Sequence, residues 1–291
     1  MIPASPGVCV ATWSGDLRDA VATTRARLAY GTSVLELLNH PGHPDQKSHG
    51  RRGGDWREDY DRAAGEVKKT ATTRAVSSEA LGGGWSASTT VSEYESGAKL
   101  VRKDLPNHDL IRAPQKQVDA EVLGSMVANA AGAHAPVAVE TGKHQVTMPY
   151  VEGRTGAEAF GRSFMPPQEV QDSDSGRLVG LTDMLISNPD RNNGNWLVDN
   201  AGKVIPIDHG LAFRSSVSIG SPFVRAFANP ALDNWASEID MSPRDMAVIR
   251  GRLESLQPEF SARGRADWFS DMMGRFTEIE SRSTGTRDRL S

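Results

Sequence analysis

The 291 residues carry a formal net charge of −4, with 38% hydrophobic and 24% charged residues, enough chain for one large domain or two lobes around a substantial core. That balance excludes a general nucleic-acid binder, which would show a basic excess, and the single cysteine, Cys9, excludes a disulfide framework or a multi-cysteine zinc site. No run approaches the roughly 18 apolar residues of a membrane span, and MIPASPGVCVATWSGD lacks the basic region and apolar core of a signal peptide, so the expected location is cytoplasmic.

Residues 14–29, SGDLRDAVATTRARLA, set Leu17, Val21 and Leu28 at helical spacing behind Ser14, and the apolar run SVLELL (33–38) follows. The spacing predicts an N-terminal helical extension over 1–39. Residues 40–74 begin polar, rich in Gly and Pro and without an apolar period, which predicts a linker or flexible arm. His40, His43 and His49 cluster there, but their spacing matches no closed zinc site and a solvated arm is the preferred reading.

Strands follow at TTVSEYES (89–96) and AKLVRKDL (98–105), flanking a turn at Ser96-Gly97. APQKQVDAEVLGSMVANAAG (113–132) predicts a helix with Val118, Val122 and Met126 on one face and Gly132 beyond its end. APVAVETGKHQVTMPYVEG (135–153) predicts two short strands across Thr141-Gly142-Lys143. From about residue 176 the pattern is mainly helical. Leu178, Leu181 and Leu185 are in register, Ser242-Pro243 opens a helix carrying Met246, Ile249, Leu253 and Leu256, and a last helix carries Phe269, Met272, Phe276 and Ile279. A strand-rich part (75–151) before a helix-rich part (152–291) predicts an α+β fold of two lobes.

The chemistry concentrates in SNPDRNNGNWLVDNAGKVIPIDHG (187–210). Val198 and VIPI (204–207) anchor a hairpin in a core, while Asp190, Asn195 and Asp208 stand at its polar ends. Two carboxylates and an amide form a hard-oxygen set suited to Mg²⁺, which favours oxygen ligands and keeps phosphates as partners. Asn195 and Asp208 would hold the ion, and Asp190, in a loop after Pro189, would orient an incoming hydroxyl. A solvated turn rich in Asn and Asp is the competing reading. The five-residue step from Asp190 to Asn195 is the spacing of the phosphoryl-transfer loop D-x-x-x-x-N, and Gly210 follows Asp208 where kinases carry D-F-G.

LISNPDRNNGNWLVDNAGKVIPIDHGLAF resembles the catalytic and metal-binding loops of the phosphatidylinositol 3-/4-kinase superfamily, most closely the type II phosphatidylinositol 4-kinases, which share D-R-x-x-x-N-W-L and I-D-x-G-L-A-F. The likeness extends more loosely over residues 78–215 by order of elements. It implies a bilobal protein-kinase-like fold using ATP with Mg²⁺ (or Mn²⁺). It implies a lysine for the phosphates, Lys103 in preference to Lys99, held by a helix carboxylate, Glu121 or alternatively Asp119. It implies a phosphate-covering loop in LGGGWSASTT (81–90), with Gly83, Gly84, Ser86 and Ser88 close to phosphate oxygens. It also implies a hinge in VTMPYVEG, where backbone near Met148, Tyr150 and Val151 would read adenine between Val101 and Leu197. His209 departs from the usual Phe, and no lipid-facing elaboration is evident. HPGHPDQKSHGRRGG also resembles polar segments of head-morphogenesis proteins of actinobacterial phages, which implies a phage or prophage origin.

The function expected is an atypical kinase moving the ATP γ-phosphoryl group to a protein hydroxyl. A small-molecule or lipid kinase with the same site, and a nucleotide-binding pseudokinase acting as a regulatory or phage structural partner, are the alternatives.

Overall fold

The computed structural model describes residues 56–83, 87–105, 112–161, 165–214, 219–229, 234–236, 238–286 and 289–290. The helical extension expected over 1–39, the histidines of the arm, and Gly84 and Ser86 of the phosphate-covering loop lie outside the described residues.

The expectation of a linker over 40–74 is corrected for its second half, which is a helix, α1 (Trp56–Ala71). Its buried residues Trp56, Tyr60, Ala63 and Val67 recur at steps of four, three and four, one stripe of an amphipathic helix. Acids in the first turn (Glu58, Asp59) and lysines in the last (Lys68, Lys69) complement the helix dipole. The stripe packs on the first lobe, and the Tyr60 hydroxyl lies 3.3 Å from Ser125 Oγ. Charged residues between the apolar positions hid this period from the sequence reading.

Five strands, β1 (Ala75–Gly83), β2 (Ser88–Tyr94), β3 (Lys99–Asp104), β4 (Val139–Gly142) and β5 (Gln145–Pro149), form an antiparallel sheet in the order β1-β2-β3-β5-β4. The β2–β3 turn closes where expected, with Gly97 at φ +79° and its N–H donating to the Tyr94 carbonyl at 2.8 Å. β3 lies between β2 and β5, and its two lysines differ by their place along it: Lys99 is exposed at the turn end, while Lys103 pairs with Thr89 and Val146 and is buried.

Helix α2 (Pro114–Ala130) runs from the sheet to the helical lobe and is buried on every side from Gln117 to Ala130. The expected single apolar face of Val118, Val122 and Met126 is therefore only part of its surface. A helix so enclosed carries buried polar groups only where partners meet them, and α2 carries two carboxylates, Asp119 and Glu121.

The second lobe contains a three-stranded sheet of β6 (Arg154–Thr155), β7 (Trp196–Val198) and β8 (Val204–Pro206) in that order. The short helices α3 (Gly156–Phe160) and α4 (Gln168–Gln171) and the longer α5 (Asp174–Leu185) surround it. A two-stranded ribbon, β9 (Ala228–Asn229) with β10 (Asn234–Trp235), precedes helices α6 (Pro243–Glu254), α7 (Gln257–Ala262) and α8 (Ala266–Glu280). Ser242 caps α6 by accepting from Asp245 N–H at 3.0 Å, with Pro243 at the first helical position. Met246, Ile249, Leu253, Leu256, Met272, Phe276 and Ile279 are all buried, as their spacing predicts, while Trp268 takes the deeper place expected for Phe269. The result is the expected α+β fold of a sheet-rich and a helical lobe. No helix among the described residues is long and apolar enough to cross a membrane.

If α1 belongs to the lobe rather than to an arm, Tyr60→Ala should lower the unfolding free energy by about 3 kcal/mol. Tyr60→Phe should cost about 1 kcal/mol, the hydroxyl contact alone. Urea midpoints measure both, and two silent substitutions would contradict the packing.

Candidate active site

The hairpin of β7 and β8 is held from below by Trp196, which is fully buried. Phe223 meets its ring edge-on at 5.3 Å, and Gly156 lies so close that a Cβ there would stand 2.2 Å from the indole. The distal turn is closed by Asp199, whose Oδ1 accepts from Ala201 N–H and Lys203 N–H at 2.8 Å each. At the other end Ile207 N–H donates to the Asn195 carbonyl at 3.1 Å, so Asn195 lies beside Ile207 and Asp208 follows directly.

The amides of the loop divide their work. Asn188 and Asn192 shape the turn: Asn188 Oδ1 accepts from Asp190 N–H (3.1 Å) and Asn192 Oδ1 from Gly194 N–H (2.8 Å). Asn195 instead turns its Nδ2 onto the Asp190 carbonyl (2.7 Å) and Asp190 Oδ2 (3.3 Å), and among the described residues its Oδ1 accepts no hydrogen bond. Asp190 is half-buried and also accepts from Asn192 Nδ2 at 2.8 Å.

Two residues that the sequence reading left without a role hold this loop. Arg191 and Asp183 of α5 are both fully buried, with Arg191 Nη2 2.8 Å from Asp183 Oδ1 and Nε 3.1 Å from Oδ2. Arg191 Nη1 donates to the Asn195 carbonyl at 2.5 Å and to the Ile207 carbonyl, at one candidate metal-binding residue and next to the other, Asp208. Asp183 Oδ1 also accepts from Asn188 Nδ2 at 3.0 Å. A buried pair satisfied this fully fixes geometry more than it adds stability. The arginine was visible beside Asp190; its partner, eight positions back in an apolar helix, gave no signal.

Lys103 joins the lobes. Its Nζ lies 2.6 Å from Glu121 Oε1 and 3.2 Å from Asp208 Oδ1. An ammonium has three donors, so one remains for a third acceptor. Burial would lower the Lys103 pKa, but the Asp208 and Glu121 charges overcome it and hold the lysine above its ordinary value. At Asp208, whose side chain stays 42% exposed, partial burial opposes the Lys103 charge, and there the lysine wins and keeps this carboxyl below the usual range. At Glu121 burial, reinforced by Asp208, prevails over Lys103 and raises the carboxyl.

Glu121 has a second duty: its Oε2 accepts from the backbone N–H of His209 at 3.0 Å, tying α2 to the Asp208 segment. His209, in the place expected for Phe, packs its ring on Gly124, where a Cβ would come within 2.6 Å of the histidine Cβ. Burial, with the Arg191 and Lys103 charges, keeps its imidazole neutral. Asp208 itself adopts φ +62°, a left-handed conformation that Asp tolerates better than most residues.

The alternatives left open by the sequence separate here. Lys99 is exposed at the turn end of β3, and Asp119 faces away from the cleft, paired with Arg263 and Arg265. Val101 is half-buried and Leu197 buried, Met148 is buried in β5, and Tyr150 and Val151 are half-buried at the junction of the lobes. Tyr150 N–H is already spent on the Lys99 carbonyl at 2.9 Å, so this amide is not available to a ring. Gly83 ends β1 opposite Ser88, which is exposed at the start of β2.

Among the described residues no cluster of three His, Cys, Asp or Glu could hold a metal by itself. One amide oxygen (Asn195) and one carboxylate (Asp208) do fit Mg²⁺, which binds through one or two carboxylates and completes its shell with phosphates and water. They do not fit a metal needing a closed protein shell.

The family model for phosphatidylinositol 3- and 4-kinase matches residues 64–228. No curated protein matches the chain. Among solved structures, the chain is similar at 12% identity to the Rio2 kinase–ADP/Mg²⁺-phosphoaspartate complex from Chaetomium thermophilum, over 79% of this chain and 68% of that one, with TM-score 0.38. It is similar at 19% identity to the Rv3197–erythromycin complex from Mycobacterium tuberculosis, with TM-score 0.33. It covers 60% of that protein's length with 67% of its own. Both likenesses are distant.

Lys103→Met would strand Glu121, which is 1% exposed, without its cation. The expected loss near neutral pH is about 3 kcal/mol. Its pH dependence follows from the sign of the shift. Without Lys103 the folded Glu121 pKa rises further above its unfolded value of about 4.3, so the penalty grows as pH rises past that value and levels off above the folded pKa. Urea unfolding should show a larger deficit at pH 8 than at pH 5, and the added Glu121→Gln should flatten that slope. A deficit independent of pH would contradict the pairing.

Proposed function

Because the chain belongs to the phosphatidylinositol 3- and 4-kinase family, we propose that this phosphotransferase fold moves the γ-phosphoryl group of ATP to a hydroxyl on a protein. The observation that carries the reading is the convergence of Lys103, Glu121 and Asp208 from both lobes beside the loop that bears Asp190 and Asn195.

In this reading Asn195 Oδ1 and Asp208 hold Mg²⁺, which when bound supplies positive charge to offset that of the phosphates. The third donor of Lys103 meets an α- or β-phosphate oxygen, while Glu121 keeps the ammonium from following Asp208 alone. Asp190, fixed by Asn192 and Asn195, accepts a hydrogen bond from the acceptor hydroxyl, orients its oxygen toward the γ-phosphorus and takes its proton as the new P–O bond forms and the bond from the γ-phosphorus to the β–γ bridging oxygen breaks, with ADP as the leaving group. Gly83 and Ser88, with Gly84 and Ser86, cover the phosphates. Val101 and Leu197 sandwich the adenine, and the backbone of Met148, the Tyr150 carbonyl and Val151 face its edge.

The type II phosphatidylinositol 4-kinase likeness of the loops favours a lipid acceptor as the second reading. The large apolar side chains exposed among the described residues favour the first: Val76 and Leu81 lie on β1, Phe160 on α3 and Val248 on α6, scattered over three elements rather than gathered in one membrane-facing patch.

The test is radiolabelled ATP with Mg²⁺, incubated with the protein alone, with lysate protein and with phosphoinositide vesicles. Label on protein supports the proposal, label on lipid moves it to the second reading, and no label with intact nucleotide binding marks a pseudokinase. Asp190→Asn should lower kcat by roughly 10²–10⁴-fold with nucleotide affinity retained. Asp208→Asn should weaken Mg²⁺-dependent nucleotide binding itself, as measured by calorimetry. Equal loss of affinity in both variants would contradict the division of roles.

A further inference from the structure

We propose that Arg263 and Arg265 are positioning residues for the Lys103–Glu121 pair, acting through Asp119 on the far side of α2. The inference rests on the kinase reading above. Both arginines lie beyond residue 228, where the family match ends.

Asp119 precedes Glu121 by two positions, so at 3.6 residues per turn the two carboxylates point to nearly opposite sides of α2. Glu121 faces the cleft. Asp119, with 3% of its side chain exposed, faces the turn between α7 and α8. Each of its oxygens is held by a different guanidinium, Oδ1 by Arg263 Nη1 at 2.9 Å and Oδ2 by Arg265 Nη2 at 2.7 Å. Arg263 Nη1 also reaches Glu140 Oε2 of β4 at 3.0 Å. Gln115 Nε2 lies 3.2 Å from both Asp119 Oδ1 and Glu140 Oε1.

The arginines are themselves fixed. They bracket Gly264, whose φ of +66° makes the tight turn that aims both at one carboxylate. The Arg265 guanidinium lies 5.0 Å from the centre of the Trp268 ring. Arg112, just before α2, sits 4.7 Å from the same ring and donates to the Gly210 and Ala212 carbonyls at 3.2 and 2.6 Å. One indole thus anchors the clamp behind α2 and the strap over the Asp208 segment.

The mechanical consequence is direct. A rotation of α2 about its axis that withdraws Glu121 from Lys103 must also break two charge-assisted contacts at Asp119. The C-terminal helices therefore act as a built-in brace that keeps α2 turned toward the cleft before nucleotide arrives. A cavity of about 420 Å³ beside these groups lets water replace truncated arginine side chains, so their removal leaves no dry void.

The test compares wild type, the Arg263→Ala/Arg265→Ala double variant and Asp119→Asn, each in wild-type and Glu121→Gln backgrounds. If the brace acts through Glu121, either change should lower kcat by roughly 2- to 30-fold in the wild-type background and by much less in the Glu121→Gln background. Equal losses in the two backgrounds would overturn the proposal. Hydrogen exchange on the nucleotide-free protein gives a readout without catalysis: peptides of α2 around Glu121 should exchange faster in the variants, and unchanged exchange would overturn the proposal. Should the double variant fail to fold, Asp119→Asn, which keeps side-chain volume, answers the same question. Should wild type transfer no phosphate, the proposed function fails and exchange alone decides the brace.

Discussion

One ammonium stands between two carboxylates that belong to different parts of the fold. Lys103 comes from the middle strand of the first sheet, Glu121 from the helix between the lobes, and Asp208 from the segment after the hairpin. A charge this deeply buried persists only when its partners arrive together, because an unpaired ammonium or carboxylate in that position costs several kcal/mol. The register of β3, the burial of α2 and the left-handed turn at Asp208 are all answerable to that condition. Glu121 extends the constraint by accepting the His209 N–H, so the helix reads the position of the Asp208 segment directly.

A second buried pair, Arg191 with Asp183, does for the loop what Lys103 does for the lobes. It gathers the carbonyls of Asn195 and Ile207 and so sets the spacing of Asn195 and Asp208 from beneath. The two centres are linked through His209, whose ring fills the space above Gly124 and whose surroundings keep it neutral. An imidazole in this position offers packing without charge, which is how the site accommodates a residue other than Phe.

Much of the fold was readable because it follows short periods. The strands β2 to β5 alternate or are bounded by turn residues, and α6 announces itself with Ser242-Pro243 and a regular apolar stripe. Helix α1 was missed because its four buried residues are diluted by eight charged ones and preceded by a Gly- and His-rich tract. β1 was missed because AVSSEALGG is an edge strand with little to bury. The candidate site was readable as a motif, in the spacing of Asp190, Asn195 and Asp208. Its supports were not: Asp183 and Arg191, or Asp119 with Arg263 and Arg265, meet only through tertiary packing that no local pattern records.

The central claim is that Lys103, and not Lys99, stands against the phosphates of bound nucleotide. An ATP analogue carrying an acyl phosphate transfers its acyl group to the amine nearest the phosphate chain, and peptide mass mapping then locates the label. The account predicts acylation of Lys103, suppressed by excess ATP with Mg²⁺ and weakened in Asp208→Asn. Labelling confined to Lys99, or labelling of Lys103 that excess nucleotide leaves untouched, would contradict it.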